Sequence, residues 1–93
     1  MKKYEIYDIR NGRTCVENEN TYQMTNMSRD EAETIVSQML LNAYRGCMSA
    51  KEEKFLNKHG IPYAVRIQGS NHRKNVDENI IEKWNHYYGE PNN

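Results

Sequence analysis

The 93-residue sequence predicts an α+β domain in which a small antiparallel sheet, a hairpin plus one later strand, carries helices on one face in the order ββααβα. Three observations predict this class. An Asn-Gly pair separates two β-prone segments, two Ser-x-x-Glu patterns precede apolar residues at helical spacing, and an alternating segment near the C-terminus precedes another helical pattern. Strands and helices segregated along a chain favour antiparallel pairing. We expect one domain over residues 1–93.

The predicted sheet begins with a hairpin. Residues 3–9 and 13–17 are β-prone, and Asn11-Gly12 lies between them. Asn-Gly favours a type I′ turn, because both central residues of that turn need positive φ. Residues 22–24 either extend the second strand or form a short third one, and the pattern is compatible with both.

Two helices are predicted after the hairpin. Residues 28–31 form a capping-box pattern before a run of apolar residues at helical spacing, and Gly46 is expected to end this helix in a left-handed conformation. Residues 49–52 repeat the capping pattern, and Gly60 ends the second, shorter helix.

The last strand and helix complete the predicted domain. Residues 62–68 alternate between apolar and polar side chains, which is typical of a half-buried strand that joins the hairpin. Asn75 or Asp77 is placed to cap a final amphipathic helix, and Gly89 follows its last periodic residue.

Composition limits the classes of function. With 13 basic and 13 acidic residues the formal net charge is zero, so no global field favours nucleic acid. Two cysteines and no apolar leader behind the first three residues predict a reducing, cytoplasmic location. The longest apolar run is too short to cross a membrane, so we expect no membrane association.

No complete motif for metal binding, cofactor binding or catalysis is present. Cysteine and histidine lack the CxxC or HxxxH spacing that places two ligands on one metal, and the candidate ligands are Cys15, Cys47, His59, His72 and His86. Phosphate loops of the GxGxxG or GxxxxGK type are also absent. We therefore predict no metal, no cofactor, no catalytic residue and no enzymatic activity.

One loop is locally basic. Arg66 lies near the end of the predicted last strand, and His72, Arg73 and Lys74 follow in the polar loop. These side chains form a candidate site for a phosphate group, a nucleic acid or an acidic partner. The alternative is a solvated basic loop that balances acidic helix starts.

Aromatic side chains form a second candidate surface. Trp84, Tyr87 and Tyr88 lie on the predicted last helix, and Tyr63 and Tyr7 lie on predicted strands. Tyrosine and tryptophan are enriched in binding hot spots, so these five residues are candidate partner-binding residues. The alternative is that the helical strip packs on the sheet.

Residues 55–73 read Phe-Leu-Asn-Lys-His-Gly-Ile-Pro-Tyr-Ala-Val-Arg-Ile-Gln-Gly-Ser-Asn-His-Arg, and this segment resembles the HicA-type toxins. Those are small RNA-cleaving proteins with a double-stranded-RNA-binding-like fold. The resemblance implies a turn at Gly69-Ser70, and it puts Asn71 and His72 where the family carries two histidines, the first of them catalytic. Here that first position is Asn71, and a helical pattern stands where the family continues into two strands. If the resemblance extends to activity, His72 is the general base.

The first 45 residues are similar in style to short proteins of phage and mobile elements, many of which block host machinery, including anti-CRISPR inhibitors. This similarity implies a partner in the host cytoplasm. Our leading hypothesis is a non-enzymatic protein-binding inhibitor that docks on a host protein. The alternative is a small RNA-binding module or HicA-like ribonuclease that uses the basic loop at 66–74. A third hypothesis is a homo-oligomer, for example a homodimer, that binds a small ligand, with exposed strand edges pairing between chains.

Overall fold

The computed structural model describes residues 1–15, 24–46 and 48–91, and in these residues the chain forms regular elements in the order βααβα. They are β1 at Tyr4–Asp8, α1 at Arg29–Tyr44, α2 at Ala50–His59, β2 at Tyr63–Ile67 and α3 at Glu78–Tyr88. The predicted α+β class with a small antiparallel sheet is confirmed.

The sheet pairs two segments that are far apart in the sequence. β1 pairs with β2 in antiparallel register, with Ile6 opposite Val65. Just beyond the strands, the Gln68 N–H donates to the Lys3 carbonyl at 2.9 Å. The predicted last strand therefore joins the sheet as the direct neighbour of β1.

The return arm of the predicted hairpin forms only an isolated bridge within the described residues. Thr14 pairs with Tyr7, and the Cys15 N–H donates to the Ile6 carbonyl at 2.8 Å. The Ile6 N–H donates instead to the Met24 carbonyl at 2.9 Å, so pairing on this side of β1 passes to residues 24–27. The order therefore has one strand fewer than predicted. Residues 16–17 and 22–23, where further strand was predicted, lie outside the described residues.

The turn of this arm also differs from the predicted type I′. Gly12 has a φ of 75°, whereas Asn11 is not among the residues with positive φ. The Asn11 side chain accepts a hydrogen bond from the Arg13 N–H at 2.9 Å, and the Asp8 N–H donates to the Arg13 carbonyl at 2.8 Å. The chain thus reverses through a four-residue loop in which only the glycine needs the left-handed region.

The structure confirms the predicted starts of all three helices and two of their three predicted ends. Ser28, Ser49 and Asp77 cap the first turns, and Gly60 and Gly89 follow α2 and α3. The predicted left-handed stop at Gly46 is wrong, because its φ is not positive. The helix ends instead at Arg45, whose N–H bonds to the Leu41 and Asn42 carbonyls and so closes the last turn.

Helices lie on both faces of the sheet instead of the one face expected. Ile6, which is fully buried, packs with Ala32 of α1 on one face. Tyr7 packs with Trp84 of α3 on the other, and Phe55 of α2 joins that cluster. Adjacent strand residues point to opposite faces, so burying both Ile6 and Tyr7 requires a helix on each side.

Within the described ranges, none of the helices combines the length and apolarity needed to cross a membrane. The same residues contain no group of three or more His, Cys, Asp or Glu side chains placed to hold a metal ion.

Candidate functional site

Two of the predicted partner-binding residues belong to the core. Trp84 is 3% exposed, and its indole N–H donates to the Gly60 carbonyl at 3.2 Å. Tyr7 is 1% exposed, and its hydroxyl accepts from the Lys74 N–H at 3.3 Å. Neither ring is available to a partner in this fold, so the alternative reading, in which the helical strip packs on the sheet, holds for Trp84.

The other three predicted aromatic residues lie together. The Tyr87 and Tyr88 ring centroids are 4.5 Å apart and edge to face, and the Tyr63 and Tyr88 centroids are 6.5 Å apart. Tyr44, at the C-terminal end of α1, lies near them: its charge adds to the burial that raises the pKa of Tyr87 and of Tyr88. We call these four residues the tyrosine cluster. Tyr44 was not predicted, because no local pattern shows that the C-terminal end of α1 lies near these rings.

The Tyr88 hydroxyl stands out within the tyrosine cluster. It is buried and has no hydrogen-bond partner among the described residues. Burial, followed by the neighbouring Tyr87, raises the pKa of this hydroxyl above its usual value. An unpaired buried hydroxyl costs about 1–3 kcal/mol, so a group that reached it with an acceptor would stabilise the protein.

A buried arginine holds the tyrosine cluster in place. Arg10 is ion-paired with Asp8 at 2.7 Å, with the two side chains 3% and 8% exposed. The same guanidinium donates to the Gly89 carbonyl at the end of α3 at 2.6 Å and lies 5.8 Å from the centre of the Tyr63 ring. A cation at a helix C-terminus is favourable. Arg10 therefore fixes the end of α3, and with it Tyr87 and Tyr88, against β1.

Outside this core, the tyrosine cluster has an exposed apolar border. Leu41 is 52% exposed and Tyr44 is 38% exposed, one turn apart on α1. The Tyr44 hydroxyl donates to Asn57 of α2 at 2.6 Å, and the Tyr87 hydroxyl lies 3.9 Å from the Met48 sulfur. The tyrosine cluster and its border thus include aromatic, aliphatic and thioether groups.

The structure divides the predicted basic loop. Arg66 is ion-paired with buried Glu5 at 3.3 Å and lies 4.4 Å from the centre of the Tyr7 ring. Arg73 donates to the Ile9 carbonyl at 3.1 Å and to the Arg10 carbonyl at 2.6 Å. Both guanidinium groups therefore already have partners within the fold.

The two remaining members of the basic loop, His72 and Lys74, are exposed. The His72 N–H donates to the Ser70 hydroxyl at 3.0 Å, which helps to fix the loop backbone. Asn71, beside it, is exposed as well. Among the described residues beyond β2, the next regular element is α3, as the sequence predicts.

Glu5 connects the basic loop to the sheet. Its carboxylate accepts from the Thr14 hydroxyl, from the Gly69 N–H at 2.8 Å and from Arg66. Burial acts to raise the Glu5 pKa, but these hydrogen bonds and the Arg66 charge outweigh it, so the pKa lies below its usual value. The carboxylate is ionised and organises three segments of the chain.

A groove along β2 was not predicted. It encloses about 330 Å³ between the first turns of α1 and the loop that follows β2. Its lining residues are Tyr4, Arg29, Glu33, Val65, Arg66, Ile67, Ser70 and His72. Ile67 is 42% exposed. No local sequence signal marks such a groove, because it depends on where α1 crosses the sheet.

Cys15 is predicted to be an unreactive thiol. It is half-buried and free, and burial, followed by the Asp8 charge, raises its pKa to about 12. Since the thiolate is the reactive species, alkylation of Cys15 near pH 8 should be at least about a hundredfold slower in the folded protein than in urea. Peptide mapping by mass spectrometry gives both rates. Equal rates would show that the thiol is accessible and ionisable.

The comparisons with known proteins identify no relative. No protein-family model, no curated protein and no solved structure matches this chain.

Proposed function

We propose that this protein is a non-catalytic module that binds another protein through the tyrosine cluster. The observation that carries the proposal is that Tyr44, Tyr63, Tyr87 and Tyr88 gather at one surface with exposed Leu41 beside them. Tyrosine supplies a large rigid contact area at low entropic cost, together with a hydroxyl for hydrogen bonding. Surfaces of this composition are typical of protein interfaces.

Two features of the site support a protein partner. The arginine that fixes the end of α3 holds the rings in place before binding, which lowers the entropic cost of association. Leu41 and Tyr44 are exposed beside the rings, so a partner would bury apolar and aromatic area there. A rigid aromatic patch with an exposed apolar border suits a specific complex.

The nucleic-acid alternative has less support from the basic loop. Arg66 is ion-paired with Glu5, and Arg73, although exposed, donates to two backbone carbonyls. The side chains left without such contacts for phosphate are those of His72 and Lys74. Phosphate binding strengthens with the number of cations that release counterions. This loop has few cations left to offer.

More specifically, we propose that the module inhibits a host protein by docking on it. The module would occupy a functional surface of a host protein, as many of the phage and mobile-element proteins similar in style to its first 45 residues do. It would act in the host cytoplasm. Blocking requires only a stable complex, so it needs no catalytic group on this chain.

Binding should depend on the rings of the tyrosine cluster and not on the basic loop. We expect Tyr44→Ala and Tyr87→Ala each to weaken capture of a partner about tenfold or more, as at binding hot spots. Tyr44→Phe and Tyr87→Phe, which keep the rings, should bind much better than the alanine variants. The measurement is capture of partner from nuclease-treated host lysate by tagged protein, followed by titration with the purified partner.

The controls separate the two hypotheses. A His72→Ala/Lys74→Ala variant should capture the same partner as the wild type, and circular dichroism should show that every variant is folded. If captured material disappears with nuclease or with the His72/Lys74 variant, the nucleic-acid alternative is correct. Unchanged capture by both tyrosine-to-alanine variants would show that the tyrosine cluster is not the interface.

A further inference from the structure

The outer edge of β2 is an unpaired strand edge. In the described residues the sheet has the order β1-β2, so β2 is bonded to another strand on one side only. Hydrogen bonds at the two ends of the pairing, from Gln68 to Lys3 and from Ile9 to Pro62, place the even-numbered residues of β2 toward β1. The backbone groups of Tyr63, Val65 and Ile67 therefore point outward.

Those outward groups are largely unused. The Ile67 carbonyl accepts from the Ser70 N–H at 3.0 Å, but no described backbone group bonds to the N–H or carbonyl of Val65 on this side. The groove along β2 leaves this edge open between α1 and the following loop. Unpaired edges of this kind serve as templates for a further strand.

The edge also lacks the usual protection against strand addition. Proteins guard edges with lysine, proline or other charged side chains. Arg66 is the charged residue of β2, and Glu5 holds its guanidinium over the Tyr7 ring, with the side chain 8% exposed. Pro62 precedes the strand and leaves Val65 free to donate. The one charged side chain of β2 itself is thus folded inward.

The sequence of β2 is suited to pairing with itself. If two copies pair antiparallel about Val65, each Val65 exchanges both backbone hydrogen bonds with its counterpart, and Tyr63 lies opposite Ile67 of the other copy. Tyrosine beside a β-branched residue is a favourable cross-strand pair. The zero net charge of the chain adds no repulsion between copies.

We propose that two copies of this protein associate through β2, antiparallel and centred on Val65, so that the two small sheets become one four-stranded sheet. The occupant of the edge is therefore a second copy of the chain. This surface shares Tyr63 with the tyrosine cluster. It includes Ile67 and excludes the rings of Tyr44 and Tyr87, so the variants that test the two proposals are different.

Light scattering coupled to size exclusion, from micromolar to millimolar concentration, tests the proposal. We expect a mass that rises toward twice the 11.0 kDa of one chain. Val65→Pro removes the outward N–H of each copy without removing a bond to β1, and should weaken dimerisation at least about tenfold. Ile67→Lys adds a charge to the edge and should have a similar effect. Leu41→Lys, an equally drastic change at an exposed residue of α1, should leave the dimer intact.

Hydrogen exchange provides a readout that does not depend on any variant. The Val65 amide should be protected at high concentration and exchange rapidly on dilution. The Ala64 amide, which faces β1, should stay protected at both. A monomer throughout the concentration range, with a rapidly exchanging Val65 amide, would overturn the proposal. So would a dimer that persists undiminished in Ile67→Lys, because that dimer would use another surface.

Discussion

Replacement of Trp84 by alanine should lower the free energy of unfolding by about 3–5 kcal/mol. The indole is 3% exposed, packs with Tyr7 and Ile9 and donates to the Gly60 carbonyl, so alanine leaves both a cavity and an unpaired carbonyl. The loss is a large part of the roughly 5–15 kcal/mol that stabilises a small domain. Urea unfolding followed by circular dichroism measures it.

The matched control for this prediction is Tyr87→Ala, which removes an aromatic ring from the same helix three residues later. Tyr87 is half-buried and its hydroxyl contacts only the Met48 sulfur among the described residues, so the loss should be much smaller, about 1 kcal/mol. A Trp84 variant as stable as the Tyr87 variant would show that the indole is not in the core. If a Trp84 variant fails to capture a partner, the loss should therefore be attributed to unfolding and not to a missing contact with the partner.

Replacement of Glu5 by glutamine should also be costly, by about 3–5 kcal/mol. Glutamine keeps the shape but leaves the Arg66 guanidinium, in a side chain that is 8% exposed, without its counter-ion. The exposed Arg29–Glu33 pair on α1, with side chains 69% and 54% exposed, gives the matched control. Glu33→Gln should cost about 0–1 kcal/mol. Urea unfolding measures both changes. Similar losses of unfolding free energy for Glu5→Gln and Glu33→Gln would show that Glu5 and Arg66 do not form a buried ion pair.

The pH dependence of stability gives a second measure of Glu5. Its pKa in the folded protein lies below the usual value of 4.5, so the folded state favours the ionised form. This contribution is fully present above the pKa of the unfolded chain and is lost as the pH falls through the folded pKa. Unfolding free energies measured from about pH 7 to pH 3 should therefore fall less steeply below about pH 4.5 in Glu5→Gln than in the wild type.

Features that depend on a few neighbouring residues could be predicted from the sequence. Examples are the serines and the aspartate that cap the helices and the glycines after α2 and α3. Each of them acts on a single helical turn, so a short stretch of sequence is enough to predict it. The exception is instructive. Gly46 carries the same stop signal, but α1 closes its last turn through Arg45 and does not use it.

Features that depend on distant pairing could not be predicted in this way. The alternation of Tyr63, Val65 and Ile67 predicts a strand, but it does not show that Arg66 meets Glu5 or that Tyr7 lies beneath the guanidinium. A loop whose arginines are paired inside the fold and a loop whose arginines lie in solvent therefore look alike in sequence. Similarly, the burial of Trp84 and the gathering of Tyr44 beside Tyr87 follow from how three helices cross two strands.

The pairing of β1 with β2 has a consequence for synthesis on the ribosome. β1 leaves the ribosome well before its partner strand at Tyr63–Ile67 and before the Gly89 carbonyl that Arg10 binds. At roughly 5–20 residues per second, the nascent β1 waits several seconds with Ile6 and Tyr7 uncovered. We expect this interval, more than the stability of the finished protein, to determine how much of the chain aggregates during expression. Slower synthesis at low temperature does not shorten this interval. A chaperone that covers β1 removes the exposure of Ile6 and Tyr7.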